Sequence, residues 1–289
     1  MDWKDIYEQY AISAEEEKEI GEQINKIFLA GKTQIDPPIA IIDIGPTGSG
    51  KTALNGYALK QFKNNNLVIV NNDELKTFHP YAEEVAKKHP EAYIKVVNEA
   101  SKHWTDDLMD KALESRFNVL YEGTGRKIRI FENMIAKMRQ QGYKIIVRAM
   151  AVNELNCLMS MAERYEGQVQ EKGWGRSVSA ETFYKGYDNE MLDTIDTFEK
   201  EGMVDIVEVY MRGQNPTMPE RIYSSKNKEF KDARTAIIVG RKRDRIRAEQ
   251  YYEKTFSKRG INPTDFPEEK ELLDIIEEVY KREGNLELQ

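Results

Sequence analysis

Eight consecutive residues, Gly45-Pro46-Thr47-Gly48-Ser49-Gly50-Lys51-Thr52, satisfy the pattern G-x-x-x-x-G-K-[ST]. Glycines at this spacing let backbone N–H groups curl around phosphate oxygens without a side-chain clash. A helix starting on such a loop adds partial positive charge at its N-terminus. Lys51 would then reach the β- and γ-phosphates, and the Thr52 hydroxyl would ligate Mg²⁺. The chemistry implied is binding of ATP or GTP with Mg²⁺, and the motif is silent on what receives a phosphate.

Ligands of open α/β sheets lie beyond the carboxyl ends of the strands, so polar residues at those ends are the next candidates. The apolar run at 67–70 leads into Asn71-Asn72-Asp73-Glu74. A carboxylate at Asp73 could accept the proton of an attacking hydroxyl. The same residue could instead cap a helix over Glu74–Phe78, a common role for Asp. The run at 118–121 leads into Glu122-Gly123-Thr124-Gly125-Arg126. Glu122 could orient Mg²⁺ through water, although no hhhhD pattern accompanies it. Arg126 sits on a glycine-flanked turn at the same edge, where it either meets a ligand or starts a helix at the surface. Arg164 and Arg176 bracket a stretch containing Gly167, Gly173 and Gly175. Two arginines on a glycine-hinged lid near 164–180 would suit closure over a transferring phosphate. An ordinary surface loop with solvated arginines is the alternative.

These residues need a scaffold that brings strand ends to one rim. Ile39–Ile44, Leu67–Val70, Asn118–Tyr121, Lys144–Val152 and Asp205–Met211 are short, β-branched and almost wholly apolar, as strands covered on both faces read. Helical stretches lie between them: Lys51–Lys63, Ala82–Arg116 with a break at Pro90, Ile128–Gln141 closed by Gly142, Asn153–Glu166, and one from Ser179 toward Gly202. This alternation predicts an α/β fold, a doubly wound and mostly parallel sheet, over residues 38–217. Residues 1–37 read as an N-terminal helical extension. Residues 218–289 read as a charged helical C-terminal extension with a break near Gly260–Pro267.

Composition narrows the class. The 289 residues are 40% hydrophobic and 32% charged, too polar for a membrane protein and too apolar for a disordered one. One cysteine, Cys157, excludes an intramolecular disulfide framework, and it reads with Met150, Met159 and Met161 as core packing. His79, His89 and His103 are too dispersed for a metal cluster. Fifty acids against 43 bases give a net charge of −7, which argues against a dedicated nucleic-acid binder. Lys226–Arg259 departs locally, with twelve bases against five acids, and suits a solvated face or an acidic partner. No apolar run approaches the roughly 18 residues of a membrane span, and no basic-then-apolar leader opens the chain. A cytoplasmic protein with no membrane and no nucleic-acid partner is the expectation.

GPTGSGKT at 45–52, NNDELKTFHP at 71–80, YEGTGR at 121–126 and MAVNELNCLMSMAERYE at 150–166 follow one another in an order and spacing that resembles the zeta toxins, the kinases of epsilon/zeta-type bacterial toxin–antitoxin systems. A weaker echo runs from GMVDIVEVY at 202–210 to RIYSS at 221–225. The resemblance covers residues 38–225 and implies a P-loop kinase-like fold. It implies ATP-dependent phosphorylation of UDP-N-acetylglucosamine, or a related UDP-sugar, on the 3′-hydroxyl of its amino sugar, which would starve cell-wall synthesis. Carried over, Lys51 and Thr52 hold ATP–Mg²⁺ and Asp73 is the general base. Thr124, with Glu122 and Arg126 on the same turn, belongs to the sugar-nucleotide site. Asp106 falls where the family carries a substrate-contacting Glu, one methylene longer. Arg164 is the first phosphate-clamping arginine. The family's second stands about thirteen residues later, where this chain has Ser177 with Arg176 beside it. The family also implies a separate epsilon-type antitoxin as a possible partner. Two other readings stay open: a P-loop kinase of another hydroxyl (nucleoside, dinucleotide or antibiotic), and a nucleotide-dependent binding module or ATPase whose basic tail docks an acidic partner.

Overall fold

The β-branched runs fold as strands β1 (Ile39–Ile44), β2 (Val68–Val70), β3 (Val119–Gly123), β4 (Lys144–Met150) and β5 (Ile206–Met211), each within two residues of its expected ends. The computed structural model describes residues 2–176, 178–215, 217–258 and 269–284. A further strand, β6 (Glu220–Ser224), completes one sheet in the order β2-β3-β1-β4-β5-β6. The first five pair in parallel, and β6 runs antiparallel along the edge. Only Tyr223 and Ser224 of β6 are buried, which suits an edge and leaves little apolar pattern to announce a strand.

Helices α1 (Trp3–Tyr10) and α2 (Ala14–Leu29) account for the N-terminal extension. Then come α3 (Lys51–Lys60), α4 (Asn72–Leu75), α5 (Ala82–Lys88), α6 (Tyr93–Glu114), α7 (Ile128–Gln140) and α8 (Glu154–Lys172). The remainder are α9 (Ala180–Tyr187), α10 (Glu190–Lys200), α11 (Ala233–Lys254) and α12 (Lys270–Gly284). β1 is apolar on both faces because both are covered. Ala40, Ile42 and Ile44 enter the larger core with α2, α6, α7 and α10, while Ile41 packs with Ala58 of α3, Leu67 and Leu120.

Both extensions are built into this core. Ile24 of α2 is fully buried in it, and Trp104 of α6 donates its indole N–H to the Glu17 carbonyl at 2.8 Å. Ala233, Ala236 and Ile237 of α11 join the same cluster, and α12 lies on α8. Several arginines of the basic stretch are engaged within the protein. Arg234 pairs with Asp193 and Asp196, Arg247 lies 3.9 Å from Glu220, and Arg241 sits 3.9 Å over the Tyr187 ring. The break expected near Gly260–Pro267 lies outside the described residues. Among the described residues, no helix is long and apolar enough to cross a membrane.

One expectation fails in α8. The helix does not end at Glu166 but continues to Lys172, so Arg164 stands inside it and Gly167 is helical rather than a hinge. A helical glycine costs about 1 kcal/mol relative to Ala. A cost of that size does not end a helix whose preceding turns, with Leu158, Met161, Ala162 and Tyr165, are packed in the core. The helix stops at Gly173, whose φ of +75° suits a C-terminal glycine. The segment left for a lid is therefore the short connection between Gly173 and Ser179, in which residue 177 lies outside the described residues.

Candidate active site

β1 lies between β3 and β4, so the strand order reverses at its carboxyl end and opens a crevice there. The chain leaves β1 straight into the glycine loop, and α3 begins at Lys51. Gly50 caps α3 with φ +89°. Gly48 has φ +77°, and a Cβ there would fall 2.2 Å from the Cys157 carbonyl oxygen. Only glycine meets both demands, which lets the loop lie directly against the start of α8. Cys157 is buried at that contact, and burial pushes its thiol up to about 12, so it packs rather than reacts. Lys51 Nζ donates to the carbonyls of Gly45 and Pro46 at 2.9 and 3.1 Å, so its ammonium spans the mouth of the loop. Burial draws the Lys51 pKa down, against the opposing pull of Glu122 and Asp73.

A cavity of about 1110 Å³ runs from this loop along the strand ends. Thr47, Gly48, Gly50, Lys51 and Thr52 line one end, and Tyr93 and Trp174 are among the residues lining it farther along. Their rings meet with centroids 6.0 Å apart. Asp73, Lys76, Glu122, Thr124, Arg164 and Arg176 also line it.

Asp73 is not the helix cap. Asn71 caps α4, its side chain accepting from the Asp73 amide at 2.9 Å, which leaves the Asp73 carboxylate free for the cavity. Lys76 Nζ donates to its Oδ1 at 2.9 Å, and Arg176 donates to its Oδ2 at 2.8 Å. Burial alone would raise the Asp73 carboxyl. The Arg176 and Lys76 charges and hydrogen bonds more than offset this and hold it well below the usual carboxylate range.

Glu122, at the end of β3, accepts from Asn71 at 3.1 Å and from Asn55 of α3. Among the described residues, no cluster of three His, Cys, Asp or Glu side chains could hold a metal. The oxygen donors present, the Thr52 hydroxyl and the Glu122 carboxylate, fit Mg²⁺, which keeps waters and leans on substrate phosphates rather than on a protein cage. Arg164 has no hydrogen bond or ion pair among the described residues, and its Nε is buried. Burial, then the neighbouring Arg176, lowers its pKa against the pull of Asp73 and Glu122. A partly desolvated guanidinium that makes no direct ion pair among the described residues, in the wall of a cavity, is a ready anion site.

Two sequence candidates stand apart from the cavity lining. Arg126 is ion-paired with Glu190 of α10 at 2.9 Å. Asp106 is exposed on α6, though its charge reaches Tyr121, which does line the cavity. Sequence reasoning in turn passed over Lys76, Arg212 and the Tyr93–Trp174 wall. Arg212, just past β5, donates to the Gly48 carbonyl and to Ser160 Oγ of α8 at 2.9 Å, tying the glycine loop to α8. Reading the end of the fifth strand as the other ends were read would have found it.

Beneath the loop, Asp43 of β1 is fully buried beside Glu122 and Arg148 in strand register, and neither of its oxygens has a hydrogen-bond partner among the described residues. Burial pushes its carboxyl up to about 8, with Glu122 and Glu208 adding to the rise and Arg148 and Lys51 opposing it. A folded-state pKa above the unfolded value makes the contribution full below about 4 and lost as pH rises through about 8. Asp43→Asn mimics the neutral form. Thermal melts from pH 5 to 9 should therefore show the wild type losing stability with rising pH relative to the variant, and parallel curves would contradict the assignment.

The match to a family model described as Zeta toxin spans residues 25–227. Toxin zeta of Streptococcus pyogenes is 24% identical over 185 residues, covering 64% of this chain and 64% of that protein. Toxin PezT of Streptococcus pneumoniae serotype 4 is 23% identical over 186 residues, covering 64% and 73%. The chain thus spans just under two thirds of the length of the first of these curated relatives. Among solved structures, a chain from the PezAT chromosomal toxin–antitoxin system of Streptococcus pneumoniae superposes with a TM-score of 0.71 at 19% identity, over 86% of this chain and 99% of that one. A chain from the AvrRxo1-ORF1:-ORF2 structure with ATP gives 0.52 at 16% identity, over 78% and 70%. These two likenesses establish the α/β architecture. The family match takes in the glycine loop, Asp73, the Glu122–Arg126 turn, Arg164, Arg176 and Arg212, and on it the chain belongs to the zeta toxin family.

Proposed function

We propose that the protein is an ATP-dependent phosphotransferase, a zeta-type toxin that phosphorylates the 3′-hydroxyl of the amino sugar of UDP-N-acetylglucosamine or a related UDP-sugar and so blocks cell-wall synthesis. The observation that carries this reading is a shared cavity. The phosphate-binding loop and the Asp73 carboxylate line the same space, with Arg164, which has no ion pair among the described residues, in its wall. That arrangement suits a triphosphate facing an alcohol whose proton passes to a neighbouring carboxylate.

In this reading the amides of residues 45–52 and Lys51 hold the triphosphate, and Thr52 holds Mg²⁺. Bound Mg²⁺ would neutralise charge on the β- and γ-phosphate oxygens. Arg164 and Arg176 stabilise charge on the transferring group, an effect that can be worth about 10³-fold or more in rate. Asp73 takes the acceptor proton. Glu122 and Thr124 contact the sugar nucleotide, and the Tyr93 and Trp174 rings shield the site from water. Arg126 would exchange Glu190 for the acceptor, and Asp106 would act from the margin near Tyr121. Two solved relatives come from a toxin–antitoxin system and a two-component complex, which supports a separate antitoxin protein as partner.

The test is incubation with labelled ATP, Mg²⁺ and a panel of UDP-sugars, nucleosides, dinucleotides and hydroxylated antibiotics, with products identified by mass. Transfer to UDP-N-acetylglucosamine or a close relative is expected. Transfer only to another class would replace the acceptor, and ATP hydrolysis with no acceptor would replace the kinase by a nucleotide-dependent binding protein.

A further inference from the structure

Asp73 carries a cation on each of its two oxygens, and the two cations are differently placed. Lys76 stands three residues along the same helical segment, 5% exposed, and Asp73 is its one ion-pair partner among the described residues. Arg176 comes from the connection between α8 and α9, 103 residues away in sequence, and shares the cavity lining with the glycine loop and Arg164. Lys76 lines the cavity too, but its stem is buried and its ammonium is tied within its own turn. A guanidinium on a short connection beside a phosphate site does, and its planar fork fits phosphate oxygens.

We propose that Lys76 is the positioning residue of the acceptor-side base: it holds Asp73 by Oδ1 throughout the reaction, while Arg176 leaves Oδ2 for the transferring phosphoryl group and frees that oxygen for the proton. The inference rests on the phosphotransferase reading above. In the step, the acceptor oxygen bonds to the γ-phosphorus and the bond to the β–γ bridging oxygen breaks. The electron pair of that bond leaves on ADP, and the hydroxyl proton ends on Asp73 Oδ2.

Electrostatics agrees with this exchange. With both cations in place the carboxylate is a weak base, and Arg176 contributes the larger of the two opposing charges. Its departure leaves burial, which favours the neutral acid, to restore basicity. Lys76 then prevents the carboxyl from turning away. The other ionisable groups around this site are Lys51 on α3, Arg164 on α8, Glu122 at the end of β3, and Tyr93 and Tyr121, with Lys102 of α6 near Lys76. None of these hydrogen-bonds to Asp73, so none substitutes for Lys76 as its anchor.

The experiment compares Lys76→Met and Lys76→Arg with wild type in the full-length chain, after melts establish that each is folded. Lys76→Met should lower kcat by about 10²-fold, the scale of a mispositioned base, with the KM for ATP within a few-fold. The acid limb of its kcat/KM profile should move up by roughly one pH unit or more. Lys76→Arg should recover most of both. A kcat within about threefold of wild type, or a loss with an unmoved acid limb and no recovery in Lys76→Arg, overturns the proposal. A ¹³C NMR titration of the Asp73 carboxyl needs no turnover and separates the two failures. If wild type transfers phosphate to no acceptor, the functional reading fails. The carboxyl titration then still decides whether Lys76 governs Asp73: an upward shift in Lys76→Met supports it, and an unchanged midpoint overturns it.

Discussion

Lys51→Ala is expected to lower phosphoryl transfer by about 10³-fold or more, the loss seen when a charge-stabilising donor is removed from a water-poor site. Lys51 already lies at the mouth of the glycine loop on the Gly45 and Pro46 carbonyls, so its ammonium needs only to exchange those oxygens for phosphate oxygens. Alanine leaves the loop's amides and its glycine geometry intact but removes the charge that must follow the transferring group. The same variant should no longer arrest growth when expressed, because its toxicity is taken to be its turnover. Single-turnover transfer and a growth assay measure the two halves separately. Transfer at near wild-type rate would remove Lys51 from catalysis. Growth arrest by a variant that transfers nothing would separate toxicity from the kinase.

Asp73→Asn is expected to lose transfer by about 10²-fold or more while keeping its ATP affinity. The substitution is nearly isosteric, and the Asn71 cap that sets the local backbone does not use the Asp73 side chain. What disappears is the negative charge that both Lys76 and Arg176 answer, and with it the proposed proton acceptor. Nucleotide binding is assigned in the proposal to residues 45–52, so a calorimetric titration with ATP should be little changed. Retained turnover would exclude Asp73 as the base. A lost ATP affinity would mean the residue serves the loop rather than the acceptor.

The parts legible in the sequence are those whose physics is local. The glycine loop declares itself because positive φ at Gly48 and Gly50, the lysine and the helix start all fall within eight residues. β1 to β5 were readable because strands covered on both faces are mostly apolar, broken only by charges such as Asp43, Glu122, Arg148 and Glu208. β6 was not, since an edge strand buries one end only. Asp73 was found from its place after a strand, but its rival role as a cap was decided by Asn71, two residues earlier, which only the fold reveals. The extent of α8 is not legible because Gly167 reads as a hinge until the packing of the turns before it is known. The Tyr93–Trp174 wall and the Arg212 tie to Ser160 depend on contacts between distant segments, whereas Lys76, three residues from Asp73, was within reach of an i,i+3 reading. Arg126 was legible as a residue and not as a partner, for its Glu190 lies 64 residues away.

A structure of the full-length protein with a non-hydrolysable ATP analogue, Mg²⁺ and UDP-N-acetylglucosamine tests the central claim most directly. The account predicts the triphosphate on residues 45–52, the amino-sugar 3′-hydroxyl about 3 Å from Asp73 and in line with the γ-phosphate, and Arg176 withdrawn from Asp73 onto phosphate. A sugar nucleotide bound elsewhere, with Asp73 still held by Arg176 and no hydroxyl within reach, would contradict it.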